Sequence, residues 1–128
     1  FAFWLGSGLV MKGWALGQQG HMDAAFEALD EGIRVIEATG AGVQLSNWYG
    51  LKAETLLTDG RFQDGIIAAE HALAWAAKTG DVYFTPRIHA IAARLWDGMN
   101  APEKRIITDN WHRSMPPPLG WQKALSLF

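Results

Sequence analysis

The 128-residue sequence predicts an all-α fold, in which about three pairs of helices stack into an α-solenoid. Three observations predict this fold. The chain repeats its own sequence at an offset of forty residues, its apolar residues recur at helical spacing, and a glycine follows the end of each helix predicted in the first two repeats. We expect a single domain over residues 1–128, because a chain of this length buries one core.

The repeat is clearest when Gly20 is aligned with Gly60, because the agreement then extends along both helices of the unit. The further matching pairs are Leu16 with Leu56, Met22 with Phe62, Phe26 with Ile66, Ala28 with Ala68, Ile33 with Leu73, and Thr39-Gly40 with Thr79-Gly80. A unit of this size cannot bury its apolar face alone and therefore stacks on the next one. We expect repeat 1 over about residues 3–40 and repeat 2 over about residues 43–80.

Each repeat is predicted to contain two helices. Gly20 and Gly60 end the first helix of each pair, because glycine tolerates the left-handed conformation found just past a helix end. In the second helix of repeat 1, one face is apolar and is expected to be buried: Ala25, Leu29, Gly32 or Ile33, and Ile36. The opposite face carries Asp23, Glu27, Asp30, Glu31 and Arg34, and we expect it to be solvated, with Arg34 supporting Asp30 four residues earlier.

The third repeat, over about residues 83–115, is degenerate. Thr85 and Pro86 are predicted to be the N-cap and a first-turn proline of a helix that runs to about Asp97. Asn100 replaces the turn glycine, and asparagine is the next-best residue for that conformation. A second helix would end before the three prolines at 116–118, and a short C-terminal helix is expected over about residues 119–128.

The residues at the packing positions resemble those of the tetratricopeptide repeat. These positions hold Gly13, Leu16, Ala25, Leu29 and Gly32 in repeat 1, and Ala53, Leu56, Gly60, Gly65, Ala69 and Ala72 in repeat 2. The phrases "GWALGQQG", "EGIRVIEATGA" and "AETLLTDGRFQDGI" resemble the C-terminal repeat region of bacterial regulators that join a nucleotide cyclase or DNA-binding head to a signal-transduction ATPase. The resemblance spans about residues 8–98. It implies a right-handed superhelix of helix pairs. It also implies a non-catalytic protein-protein interaction or regulatory module, as a fragment of a larger cytoplasmic signalling protein.

Charge and composition narrow the classes of partner. The formal net charge is -2, and no block of basic residues marks a surface that would bind nucleic acid. The apolar opening "FAFWLGSGLVM" is too short and too interrupted by glycine to span a bilayer. The chain contains no cysteine, which fits a reducing compartment. We therefore expect a protein or peptide partner in the cytoplasm, without a nucleic acid or a membrane.

No group of residues has the spacing of a catalytic or metal site. The four histidines, His21, His71, His89 and His112, do not pair at the i+3 or i+4 spacing that places two ligands on one helix face. The segment "TGAGVQ" lacks the third glycine of a dinucleotide-binding turn. We expect no enzyme activity, no cofactor and no metal, and we expect His89 to be packed against a neighbouring helix.

The first helices of the repeats are predicted to line the inner, concave surface of the stack. A partner-binding groove would then contain Ser7, Trp14, Gln18, Asn47, Glu54, Arg87 and Arg94. An aromatic ring beside amide and guanidinium groups suits an extended peptide or a helix. Glu54 and Arg94 could instead pair with each other across the groove. A small-molecule sensor with a pocket ringed by Trp14, Asn47 and Arg94 is the alternative from another class.

Self-association is the third alternative. The apolar residues Phe1, Phe3, Trp4, Leu5 and Leu9 have no preceding repeat within this sequence to cover them. We therefore expect a homodimer in which the N-terminal helices of two copies meet in a two-fold contact, the commonest arrangement in soluble oligomers.

Overall fold

The computed structural model describes residues 1–100, and all the regular secondary structure in that range is α-helical. The helices are α1 (Ala2–Gln18), α2 (Met22–Ala38), α3 (Leu45–Thr58), α4 (Phe62–Thr79) and α5 (Thr85–Gly98). The predicted all-α class is thus confirmed for these residues. The second helix of repeat 3, with its predicted inward residues, and the short C-terminal helix lie outside the described range.

The helices pack in a regular order. Helix α1 packs against α2, and α3 packs against α4, so predicted repeats 1 and 2 each form a helix pair. Helix α3 also contacts α1 and α5, and it meets α2 of the preceding pair. The first helices α1, α3 and α5 are therefore neighbours, and this order positions the candidate site.

Glycines allow the two helices of a pair to approach closely. A Cβ atom placed on Gly13 would lie 2.7 Å from the carbonyl oxygen of Ala25, and one on Gly32 would lie 2.6 Å from that of Gly6. Neither distance is compatible with a real Cβ atom, so both positions require glycine while the helices stay this close. The small residues predicted for the contact between α1 and α2 thus lie where the helix backbones meet.

The predicted turns adopt the expected conformation. Gly20, Gly40, Gly60 and Gly80 have φ angles of 86°, 75°, 76° and 73°, and Asn100, at the equivalent place in repeat 3, has φ 56°. The prediction for Thr85 as an N-cap is wrong by one residue. Helix α5 begins at Thr85 itself, after Phe84, and no side chain caps it. Thr85 is buried.

Within residues 1–100, most of the buried apolar residues form two clusters. The first cluster joins repeats 1 and 2 and contains Val10, Leu29, Ile33, Ile36, Leu45, Trp48 and Leu51. The second cluster joins repeats 2 and 3 and contains Ala53, Leu56, Ile66, Ala68, Ala69, Ala72, Ile88, Ile91, Ala92 and Leu95. The partly buried rings of Phe26 and Tyr49 pack against both clusters. His89 is 3% exposed, which confirms the prediction that it is packed inside the helix stack.

The polar face of α2 is exposed as predicted, but one ion pair differs. Arg34 binds Glu31 through two hydrogen bonds of 2.6 and 2.9 Å, and this contact holds the pKa of the Glu31 carboxyl below its usual value. Asp30 instead forms an ion pair with Lys52 of α3, with 2.8 Å between Asp30 Oδ1 and Lys52 Nζ. The expected support of Asp30 by Arg34 is therefore wrong, because Asp30 lies where Lys52 of the next repeat reaches it.

Candidate functional site

The predicted groove residues lie on the three neighbouring helices α1, α3 and α5. Two rows of equivalent positions run across these helices at the forty-residue spacing of the repeat. The first row consists of Trp14, Glu54 and Arg94, and the second of Ser7, Asn47 and Arg87. We call this set, with Gln18 at the end of α1, the inner surface.

Glu54 connects the three helices of the inner surface. Trp14 Nε1 donates a hydrogen bond to Glu54 Oε1 at 3.2 Å, and Arg87 Nη2 donates to the other carboxylate oxygen of Glu54. The Glu54 side chain is 19% exposed, whereas that of Arg87 is 46% exposed. The ion-pair partner of Glu54 is thus Arg87, in place of the Arg94 considered from the sequence. The Glu54 carboxylate thus holds both the Trp14 ring and one edge of the Arg87 guanidinium in place.

The other groove residues differ in accessibility. Arg94 and Gln18 are exposed, and Asn47 is half-buried. Within residues 1–100, the Arg94 guanidinium makes no hydrogen bond and no ion pair, so its charge faces solvent in this part of the molecule. The inner surface therefore offers one uncompensated cation and two amide groups beside an indole ring that is held in place. These groups suit a ligand with hydrogen-bond acceptors.

Ser7 was predicted to line the groove, but its side chain does not contribute to the inner surface. Its side chain is buried, and its Oγ donates a hydrogen bond of 2.8 Å to the carbonyl oxygen of Phe3, one helical turn earlier. The physical reason is that a short hydroxyl side chain in a helix bonds to the backbone of its own preceding turn. The second row therefore presents Asn47 and Arg87 alone.

The predicted self-association residues divide into two groups. Phe1, Trp4 and Leu5 are exposed by 99%, 74% and 50%. Phe3 is half-buried and packs against the first cluster. Its ring also contacts the exposed ring of Trp4 edge-to-face, with the centroids 5.4 Å apart. Leu9 is also half-buried. The prediction that Phe3 is an uncovered surface residue is therefore wrong, because Phe3 packs against the protein's own core.

A cavity of about 610 Å³ lies between α1 and α2. Its apolar lining comes from Leu9, Leu16, Ala24 and Ala28, and charged residues such as Lys12 surround it. It contains none of the residues Trp14, Asn47 and Arg94 that a sensor pocket requires. No cluster of three or more His, Cys, Asp or Glu side chains suitable for a metal ion occurs within residues 1–100.

Two residues on the exposed side of α1, Gly8 and Met11, were not predicted from the sequence. Met11 is 58% exposed, and a Cβ atom placed on Gly8 would meet nothing within 4 Å. The signal for Met11 was present, since its equivalents in repeats 2 and 3 are the apolar residues Leu51 and Ile91. The signal for Gly8 was obscured by the other glycines of α1, which have packing roles.

Comparison with known proteins yields no relative. No protein family model matches the chain, and neither a curated protein nor a solved structure matches it significantly. None of the helices within residues 1–100 has both the length and the apolar character needed to cross a membrane.

Proposed function

We propose that the chain is a tetratricopeptide-like, right-handed solenoid whose inner surface binds a segment of a partner protein, and that it has no catalytic activity of its own. The observation that carries the proposal is the hydrogen-bonded series Trp14–Glu54–Arg87, which spans the first helices of all three repeats. The series thereby joins residues of both rows, from three successive repeats, into one continuous surface.

The packing order supports the solenoid arrangement. Each first helix contacts the first helix of the next repeat, and α2 and α4 each contact the following first helix. Stacked helix pairs of this kind present their first helices along one side. In such a stack, Trp14, Asn47, Arg87 and Arg94 would be accessible from the same direction to one elongated ligand.

The charges and hydrogen bonds favour a peptide with acceptor groups. The contacts of Glu54 already hold Trp14 and Arg87, so ligand binding would cost little ordering of these side chains. Arg94 would supply a charge-assisted hydrogen bond to a carboxylate or carbonyl oxygen. Arginine and tryptophan are among the residue types that most often dominate binding energies. We therefore expect Arg94 and Trp14 to contribute most of the binding free energy.

A regulatory setting fits the resemblance of the repeat sequences to the helical tails of bacterial signalling proteins. In such proteins the module would connect a partner to a regulated head domain in the cytoplasm. The 610 Å³ cavity, among Leu9, Lys12 and Leu16, does not support the sensor alternative, because neither Trp14 nor Arg94 lines it.

A random-peptide display selection against the full chain tests the proposal. Selected peptides are expected to bind Arg94→Glu and Trp14→Ala at least about tenfold more weakly than the wild type. Arg34→Glu is the matched control, because Arg34 is an exposed arginine on the outer helix α2. Its thermal midpoint and peptide affinity should stay near those of the wild type. The proposal fails if every selected peptide binds Arg94→Glu as tightly as the wild type.

A further inference from the structure

Helix α1 has an open face that none of the other residues in 1–100 covers. We define the open face of α1 as Trp4, Leu5, Gly8, Met11 and Lys12. Gly8 is three residues from Leu5 and Met11 and four residues from Trp4 and Lys12, so the five positions share one side of the helix. All five residues are exposed, although three of them carry large apolar side chains.

The equivalent face is covered in the later repeats. Leu45, at the position of Leu5, is 1% exposed, and Leu51, at the position of Met11, is 8% exposed. Trp48 occupies the position of Gly8 and is also buried. All three belong to the first cluster, where they pack on repeat 1. The open face of α1 is thus the counterpart of a surface that, in repeat 2, contacts a helix pair.

Gly8 has no packing role among the described residues. Cβ atoms on Gly13 and Gly17 would clash with neighbouring helices, whereas one on Gly8 would meet nothing. Glycine inside a helix is less favourable than alanine, so its presence in the centre of an open face needs a cause. A helix that approaches from outside at Gly8 would supply one, because the missing side chain permits close contact between backbones.

The open face is complementary to itself about Gly8. When two identical helices cross antiparallel at that residue, positions at equal distances before and after it meet. Leu5 of one copy then meets Met11 of the other, and the Lys12 ammonium meets the ring of Trp4. Lys12 has no ion pair within residues 1–100, and a cation over an indole ring is favourable. Lys78 over Trp75, at 4.7 Å from the ring centroid, is an intramolecular example.

We infer that the open face of α1 binds the same face of a second copy of this chain, with the two helices antiparallel and a two-fold axis at Gly8. The two-fold operation produces each Leu5–Met11 and Trp4–Lys12 contact twice. Trp14 lies on another side of α1, so the inner surface stays accessible to a peptide. The inference does not depend on the proposed function.

Sedimentation equilibrium of the full chain from low to high micromolar concentration tests the inference. The wild type is expected to form a dimer of twice its mass of 14.1 kDa. Lys12→Glu places a negative charge against the ring of Trp4 and should raise the dimer dissociation constant by at least about tenfold. Arg94→Glu is the control, because its site is on the inner surface. Its expected loss of peptide binding with an unchanged dimer separates the two proposals.

Gly8→Ala distinguishes an interface role from a folding defect. The added methyl group should raise the dissociation constant by at least about tenfold, while alanine should raise the melting temperature of the diluted monomer by a few degrees. A monomeric wild type at high micromolar concentration would overturn the inference and leave the open face to another occupant, such as a further helix pair. A dimer that tolerates both Gly8→Ala and Lys12→Glu would overturn it as well.

Discussion

At the scale of single residues, two glycines of α1 with opposite surroundings lead to opposite expectations. A Cβ atom on Gly13 would meet the backbone of α2 at 2.7 and 2.8 Å, so Gly13→Ala must separate the helices. We expect it to lower the free energy of unfolding by about 1 to 3 kcal/mol. Gly8→Ala is the matched control and should raise it by about 0.5 to 1 kcal/mol. Urea unfolding of diluted protein measures both, and a stabilising Gly13→Ala would contradict the close helix contact.

Tyr49 makes folding stability sensitive to alkaline pH. Its pKa is raised, first by burial of the ring and then by the hydrogen bond that its hydroxyl donates to Glu37. Above about pH 10 an unfolded tyrosine loses its proton while the folded one keeps it. The unfolded state then binds fewer protons, so the contribution of Tyr49 to the unfolding free energy falls as the pH rises further.

Tyr49→Phe tests this linkage. The difference in unfolding free energy between wild type and variant should stay constant from about pH 7 to about pH 9 and then shift in favour of the variant above about pH 10. Denaturant titrations at each pH give the difference, in which the contributions of the other tyrosine, Tyr83, and of the lysines cancel. A difference that does not change up to about pH 11 would refute the raised pKa.

The candidate site could be predicted from the sequence only in part. The forty-residue register places Trp14, Glu54 and Arg94 in one row, and it identifies the helices that carry them. It does not determine which arginine reaches the Glu54 carboxylate, because that depends on side-chain directions across two helix contacts. Ser7 was misassigned for a similar reason, since a hydroxyl that bonds to its own helix leaves no mark in the repeat pattern.

At the scale of elements, the turns between the helices of a pair depend on left-handed backbone. Gly60 has φ 76° and free space around its Cβ position, so a substitution there costs only backbone strain. We expect Gly60→Ala to destabilise the fold by about 1 to 2 kcal/mol. Gly60→Asn should cost clearly less, because Asn100 already adopts φ 56° at the equivalent turn. Thermal unfolding compares the two variants, and equal losses would argue against a backbone cause.

The element boundaries were predicted well where glycine marks them and less well elsewhere. Gly20, Gly40, Gly60 and Gly80 all follow the helices that they were expected to end. Helix starts were less certain, because no side chain caps any of the five described helices. The start of α5 at Thr85 rather than after it illustrates this. Boundaries fixed by packing alone carry no local signal in a sequence.

At the scale of the whole molecule, the two clusters of the core meet through the rings of Phe26 and Tyr49. In stacked repeats each unit is stabilised mainly by its neighbours, so in the proposed solenoid we expect these shared rings to influence how far a local opening spreads. We expect the amides of α2 and α4 to show similar opening free energies in the wild type. Phe26→Ala should let α2 open at lower cost than α4, which native-state hydrogen exchange measures for each helix. An equal decrease in the opening free energies of both helices would mean that contacts other than the Phe26 ring couple the two clusters.

The junction at Phe26 and Tyr49 also bears on communication along the molecule. A ligand that rigidifies α1 and α3 would change the stability of α5 to the extent that the free energies of the two clusters are coupled. Because part of that coupling runs through these two rings, single substitutions at the junction could alter long-range cooperativity while leaving each end folded. Phe26 and Tyr49 thereby mark a place where the sensitivity of the helices to distant binding events can be tuned.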